Sequence, residues 1–310
     1  MRLALLLLIP LAAAQDGPVI RASVTLVPLT VSIADKNGRP MDDIKASEIT
    51  LFDNGRPREI RYFSRDFNAP LTIGLIADTS WSQRQFLAEH SETLKLFVGQ
   101  VLRPADRGFL VSVSGTGGAS DVQLVRDLTS SVEGLRAGIQ GLRVGAQPTG
   151  QFGDACLTPR CRGTALWNSV YSSVDLRMKS TDGRKALIVL SDGIDTGSQH
   201  SLNTTIEAAQ TADTPVYTIV TSGGLLLLPM RIRGGKALRK LAEETGGRAY
   251  GSVKDGSAGV FAQIEAELRN LYVLTFLVPE NERDGKFHTL EVKTTRKGAR
   301  VRSRRGYTAR

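Results

Sequence analysis

Two spacings of apolar residues divide the chain. Over residues 20–66 hydrophobic and polar positions alternate, as in Leu29, Val31 and Ile33, then Ile49-Thr50-Leu51-Phe52, then Glu59-Ile60-Arg61-Tyr62-Phe63. A period of two predicts strands with one covered face. Asp35-Lys36-Asn37-Gly38 and Asn54-Gly55 supply the turns between them, since Asn and Gly tolerate positive φ. Pro28 and Pro57 are expected at strand edges or ends, because proline cannot donate to a ladder. From Pro70 the pattern changes. Leu71-Thr72-Ile73-Gly74-Leu75-Ile76-Ala77 is the continuous run expected of a strand buried on both faces of a parallel sheet. A helical pattern follows at 83–102, through Phe86, Leu87, Leu94, Phe97, Val98 and Val101. Further strands are predicted at 108–114, 186–191 and 216–221, and helices near 130–142, 165–178, 203–212, 235–245 and 257–270.

Strands alternating with helices indicate a doubly wound, mostly parallel α/β domain over 70–270. After Leu271 the period returns to two, in Tyr272–Leu277, Phe287–Val292 and Val301–Tyr307, with turns at Asp284-Gly285 and Lys297-Gly298. Neither β segment has enough strands to cover a face by itself. Residues 20–66 and 271–310 are therefore expected to pair as one sandwich-like β domain, with the α/β domain inserted between them.

Composition narrows the classes. With 41% hydrophobic and 23% charged residues in 310, the chain is neither disordered nor fibrous. The net charge of +9 is uneven: residues 286–310 hold nine basic residues against Glu291, and Arg2 supplies one more, so the rest balances to zero. A nucleic-acid or membrane reading would rest on that terminal segment alone. Met1-Arg2, about a dozen apolar residues and the small residues of Ala12-Ala13-Ala14 read as a cleavable secretory signal over 1–14. The run is too short to span a bilayer core of about 30 Å. No Cys follows Ala14 to carry a lipid, and no other stretch is long enough to span. The protein is thus expected to be secreted or periplasmic. In that compartment Cys156 and Cys161, the only two cysteines, are expected to close a local disulfide in a loop of turn formers.

The first buried strand ends in Asp78-Thr79-Ser80-Trp81-Ser82, and a later one in Ser191-Asp192-Gly193-Ile194-Asp195-Thr196. Ligands of open α/β sheets sit beyond the carboxyl ends of the strands. Between them, Arg162-Gly163-Thr164-Ala165-Leu166 places a hydroxyl at a helix start. Taken singly, Ser80, Ser82 and Thr164 fit helix caps and Asp192 fits a turn. Taken together at the strand ends of one sheet, they are hard oxygen donors suited to Mg²⁺, Mn²⁺ or Ca²⁺ and not to zinc.

In these residues the sequence resembles the von Willebrand factor type A (VWA) domain, whose metal-ion-dependent adhesion site is written Asp-x-Ser-x-Ser with a distant Thr and a distant Asp. The matching positions are Asp78, Ser80, Ser82, Thr164 and Asp192. Val31–Gly38, Ile49–Gly55 and Arg304-Arg305-Gly306-Tyr307 extend the likeness to secreted bacterial proteins called VWFA-related. The resemblance implies that Ser80, Ser82 and Thr164 bind the metal directly, and that Asp78 and Asp192 do so directly or through water. It implies a partner protein that offers an Asp or Glu to the metal, and so adhesion or scaffolding without catalysis. The sequence departs from the pattern at Trp81, where small residues are frequent, and in the long loop 144–162. Two readings of Trp81 stand, an apolar contact at the site rim or a core tryptophan. Two stand for Asp195, orienting a ligand or water, or capping a helix before 203.

Two other functions compete. A metal-dependent hydrolase would use the same site, but the chain has no Gly-x-x-x-x-Gly-Lys-[Ser/Thr], Gly-x-Ser-x-Gly or His-Glu-x-x-His, and His90, His200 and His288 lack evident partners. Polyanion binding would use Arg300, Arg302 and Arg304, which period-two geometry puts on one strand face. Such charges equally protect a sheet edge, and no aromatics for base stacking are interleaved.

Overall fold

The computed structural model describes residues 24–65, 69–114, 122–145, 163–221, 228–251 and 257–309. The chain opens with four strands, β1 (Val24–Ala34), β2 (Ile49–Asp53), β3 (Arg56–Arg58) and β4 (Ile60–Ser64). Asn54 and Gly55 both take positive φ (48° and 75°) and turn β2 into β3. The α/β part follows. Its strands are β5 (Leu71–Asp78), β6 (Arg107–Val113), β7 (Val122–Thr129), β8 (Arg184–Ser191), β9 (Val216–Val220) and β10 (Ala249–Tyr250). Its helices are α1 (Leu87–Val101), α2 (Val132–Gln140), α3 (Leu166–Ser173, prolonged by a π turn over Val174–Met178), α4 (Leu202–Thr211), α5 (Leu228–Thr245) and α6 (Ser257–Arg269). The chain closes with β11 (Tyr272–Pro279), β12 (Phe287–Thr294), β13 (Arg300–Ser303) and β14 (Gly306–Thr308).

The central sheet runs β10-β9-β8-β5-β6-β7, parallel except for β7. All eight residues of β5 are buried, because helices cover both faces. Leu71, Ile73, Leu75 and Ala77 pack with α1, α2 and α6, whereas Ile76, Phe109 and Val189 pack with α3, α4 and α5. This is the doubly wound α/β fold the apolar runs imply. Strand β7 escapes that reading because bulges break its register with β6 and its exposure shows no period of two. Helix α1 starts four residues later than its apolar spacing suggests, since Trp81–Gln83 forms a separate 3₁₀ turn ahead of it.

The outer strands make two antiparallel sheets, β13-β1-β11-β4 and β14-β12-β2-β3. Each draws strands from both ends of the chain: β1 pairs β11 from Val24↔Pro279 to Val31↔Tyr272, and β2 pairs β12 from Asp53↔Leu290 to Ile49↔Thr294. Inward residues of the two sheets, among them Leu29, Val31, Leu51, Leu274, Phe276 and Leu290, form one core. Pro28 lies where β1 has no neighbour on the β13 side, and Pro57 lies on the edge strand β3.

The terminal arginines require a correction. The stretch 301–307 is not one strand: β13 ends at Ser303, and Arg304-Arg305 steps across to β14 in the other sheet. Arg302 pairs with Glu267 of α6 and donates to Ser32 Oγ at 3.2 Å. Arg304 is 4% exposed and donates to the carbonyls of Gln210 and, at 2.6 Å, Pro28, with Asp213 3.5 Å away. Arg305 meets Glu244 of α5 at 3.3 Å. Only Arg300 of the predicted stripe is exposed. Arg300, Arg302 and Arg304 therefore do not form one exposed cationic stripe. The basic segment fastens the β part to the α/β part, and Gly246 fits beneath it because a Cβ there would lie 2.7 Å from the Arg304 nitrogen.

Candidate functional site

Pairing of β5 with β8 sets Ala77 beside Leu190, so the strands end together and bring Asp78 and Ser191 to one edge. Asp78 is fully buried, and its Oδ1 accepts from the Ser80 N–H at 3.0 Å and its Oδ2 from the Ser191 hydroxyl at 2.6 Å. The Ser80 and Ser82 hydroxyl oxygens lie 3.1 Å apart. Thr79, between them, points elsewhere: its N–H and hydroxyl both donate to the Val113 carbonyl. Alternation along the loop thus collects positions 78, 80 and 82 and excludes 79. Trp81 opens the 3₁₀ turn, half-buried, with the Arg84 guanidinium 4.8 Å over its ring. It is not a core side chain.

Asp192 follows β8. Its Oδ1 accepts from the Ile194 N–H at 3.0 Å, and its Oδ2 from the Gln83 side-chain amide at 2.7 Å. Gln83 is completely buried and in turn accepts from the Thr221 hydroxyl at 2.7 Å. Gly193 has φ +76°, and a Cβ there would stand 2.3 Å from the Gly234 carbonyl oxygen. The Asp192 loop and the start of α5 therefore touch backbone to backbone, which only glycines permit.

Thr164 is buried immediately before α3, and its carbonyl accepts from the Thr196 and Gly197 N–H groups at 3.1 and 3.0 Å. Asp195 holds this segment by accepting from the Trp167 N–H at 2.9 Å, from the Ser198 N–H at 3.2 Å and from the Ser198 hydroxyl. Its carboxylate thus braces the first turn of α3, the helix that Thr164 introduces, whereas Ser201 caps α4. Cys156 and Cys161, and the segment 1–14, lie outside the described residues.

The electrostatics follow from burial. Desolvation pushes the Asp78 pKa above the carboxylate range, and the neighbouring charge of Asp192 pushes it further, while the Ser191 and Ser80 hydrogen bonds act against both. Ser80 and Ser191 donate to Asp78, and Ile194 and Gln83 donate to Asp192. Among the described residues no group of three or more His, Cys, Asp and Glu assembles. The two carboxylates and the Ser80 and Ser82 hydroxyls are all oxygen donors, which fits a hard dication; among the described hydrogen bonds none ties the Thr164 side chain to them, its carbonyl being the group that is engaged. Such an ion would cancel both charges, and no third acid of the chain is needed.

The three histidines sit elsewhere. His90 is buried in α1, His200 stacks on Tyr171 at 3.7 Å between centroids, and His288 lies in the sandwich 3.1 Å from Asp53 and 3.3 Å from Asp284. Sequence reasoning did not single out Gln83 or Thr221, and it quoted Ser191 without a role. The available signal for Gln83 was a polar residue directly after the third motif position.

No protein-family profile matches the chain, and no curated protein does. Solved structures similar to it include a von Willebrand factor type A protein from Catenulispora acidiphila, at 13% identity, covering 88% of this chain and 71% of that one, with a TM-score of 0.46. A serine-substituted aerotolerance-related membrane protein from Bacteroides fragilis is 14% identical over 64% and 98% of the two chains, with a TM-score of 0.44. The three N-terminal domains of the type V pili tip protein Mfa5 from Porphyromonas gingivalis are 11% identical over 93% and 69%, with a TM-score of 0.47. With TM-scores this low, the class is defined by the chain's own features. A mostly parallel six-stranded sheet wound on both faces carries Asp-x-Ser-x-Ser on the carboxyl end of β5. It is a doubly wound, mostly parallel α/β domain set within a β-sandwich, the fold that the resemblance to VWA domains implies. Among the described residues no helix is long and apolar enough to cross a membrane.

Proposed function

We propose that the protein is exported and binds other proteins through a divalent cation, Mg²⁺ or else Mn²⁺ or Ca²⁺, as an adhesion or scaffolding component. The observation that carries this reading is the pair of buried carboxylates, Asp78 and Asp192, converging with the Ser80 and Ser82 hydroxyls at one edge of the sheet. Asp78, Ser80, Ser82, Thr164 and Asp192 would hold the ion, and the ion would supply a Lewis-acidic position for a partner's carboxylate. Ser191 and Gln83 fix the two acids at separate orientations, so the chain's share of the site is built before any ion arrives. Asp195 acts one step further out, keeping Thr164 and the first turn of α3 in place. Export rests on the secretory pattern of residues 1–14.

Calorimetric titration of the mature chain with Mg²⁺ and Mn²⁺ tests this reading. Saturable uptake that is lost in Asp78→Ala, with an unchanged circular dichroism spectrum, is expected. Equal uptake by the variant would overturn the assignment. Phosphoester turnover that depends on Asp78 would favour the hydrolase reading instead.

A further inference from the structure

Two stretches of chain border the proposed metal site, and they share a chemistry. On one side the 3₁₀ turn and the residues after it, 79–87, contain Trp81 and Arg84 and no acid. Arg84 is exposed, and its guanidinium lies over the half-buried indole while donating to the Trp81 carbonyl at 3.2 Å. On the other side stands the beginning of α5. Gly234 is pressed against Asp192, a Cβ on it falling 2.3 Å from the Asp192 carbonyl oxygen. Met230 precedes Gly234 by four residues, so it lies one turn further out on the same helix face, and Arg233 is its neighbour three residues on. Helical side chains lean toward the N-terminus. Both side chains therefore lean toward the N-terminal end of α5, beyond the point where Gly234 meets the Asp192 loop.

Neither is accounted for by folding. Met230 is 44% exposed although it is large and apolar. Residues 229–236 include Arg233 and Lys236 and no acid, which places cations where the helix macrodipole is already positive. Arg233 and Lys236 are exposed, and neither forms an ion pair among the described residues. Each border thus offers an apolar surface with an arginine next to it, flanking a centre that on the reading above accepts a carboxylate.

We propose that the partner docks here with an acidic, apolar segment. One carboxylate of that segment goes to the metal, an apolar side chain packs on Met230 or Trp81, and a further Asp or Glu meets Arg233 or Arg84. Charge complementarity carries the choice: a basic segment would face like charges on both borders, and a purely polar one would leave Met230 and Trp81 wet. Ile232, also exposed, is on the opposite side of α5 and takes no part.

This rests on the metal-site reading, and the test separates the two. A displayed library of nonapeptides with a fixed central Asp and random flanks is panned on the full mature chain in Mg²⁺ and released with chelator. The wild type is expected to enrich acidic and large apolar residues in the flanks by at least about threefold. The double variant Met230→Ser, Arg233→Glu is expected to take up Mg²⁺ as the wild type does but to lose the acidic enrichment, or turn it toward Lys and Arg. Chelator-released peptides with unbiased flanks, or acidic enrichment that survives in the variant, would overturn the docking proposal alone. Normal Mg²⁺ uptake without any chelator-released peptide would overturn carboxylate recognition as well. Absence of Mg²⁺ uptake would overturn the site itself.

Discussion

Gln83 holds Asp192: its side-chain amide donates to Asp192 Oδ2 at 2.7 Å while its carbonyl accepts from Thr221 at 2.7 Å. One buried amide therefore links the Asp-x-Ser-x-Ser loop, the end of β8 and the end of β9. A residue that orients a metal ligand typically accounts for a 10- to 100-fold share of affinity. Gln83→Met keeps the volume and removes both bonds. We expect Mg²⁺ affinity to fall about tenfold or more, with about 1–3 kcal/mol lost in urea unfolding because Thr221 and Asp192 lose a partner. An unaltered Mg²⁺ isotherm would show that Gln83 serves the fold alone.

Asp78 and Asp192 repel each other while no dication neutralises them. At pH 8, above the Asp78 pKa of about 7, Asp78→Asn removes one of two buried like charges and keeps the shape. In chelator the variant should melt higher than the wild type, by roughly 2–4 °C for about 1 kcal/mol in a domain of this size. In excess Mg²⁺ the order should reverse, since only the wild type gains binding free energy. Scanning calorimetry under both conditions decides it, and the same order in both would refute the repulsion argument.

His90 supplies a pH dependence unrelated to the site. Its ring is buried near Phe86, without a hydrogen-bond partner among the described residues, and burial lowers its pKa to about 4. An unfolded histidine titrates near about 6.5. Between those values the unfolded chain holds the extra proton, so stability is full above about pH 6.5 and falls as pH drops toward about 4. The limiting slope is about 1.4 kcal/mol per pH unit. In His90→Phe this acid-side slope should flatten when urea midpoints are compared from pH 4 to 7.

Arg304 and Arg300 separate a buried role from an exposed one. Arg304→Ala strips Asp213 and two carbonyls of their partner at the junction of the two parts, at a cost of about 3–5 kcal/mol. Arg300→Ala should fall within about 0.5 kcal/mol of the wild type. Comparable losses in chemical denaturation would contradict the division.

Much of the architecture could be read from spacing. The run from Leu71 to Ala77 announces a strand covered on both faces, and Leu29, Val31 and Ile33 announce one covered on a single face. The positions of Asp78, Ser80 and Ser82 were legible because they follow a recognisable strand. Their support was not. Gln83 reaches across 109 residues to Asp192, and no local pattern encodes such a partner. The arginines misled for a related reason: alternation predicts a shared face only while one strand lasts, and here the chain changes sheets at Arg304. The local balance of +8 likewise overstated the surface field, since the acids that meet Arg302, Arg304 and Arg305, namely Glu267, Asp213 and Glu244, belong to distant helices and loops.

The pairing of β1 with β11 also sets an order of assembly. Val24 must meet Pro279, a long closure for a flexible chain. Once the α/β part has folded, however, its two ends are already adjacent: Leu71 pairs with Arg184, whose guanidinium donates to the Arg269 carbonyl at 3.0 Å. The remaining closure is then short, so the sandwich should form last, on a scaffold that has done the searching for it. Amide protection appearing in β11 before β5 in pulsed hydrogen exchange would contradict this sequence. Until that closure the first four strands wait with open edges, which makes the interval between emergence and final pairing the period of greatest exposure to aggregation in the life of this chain.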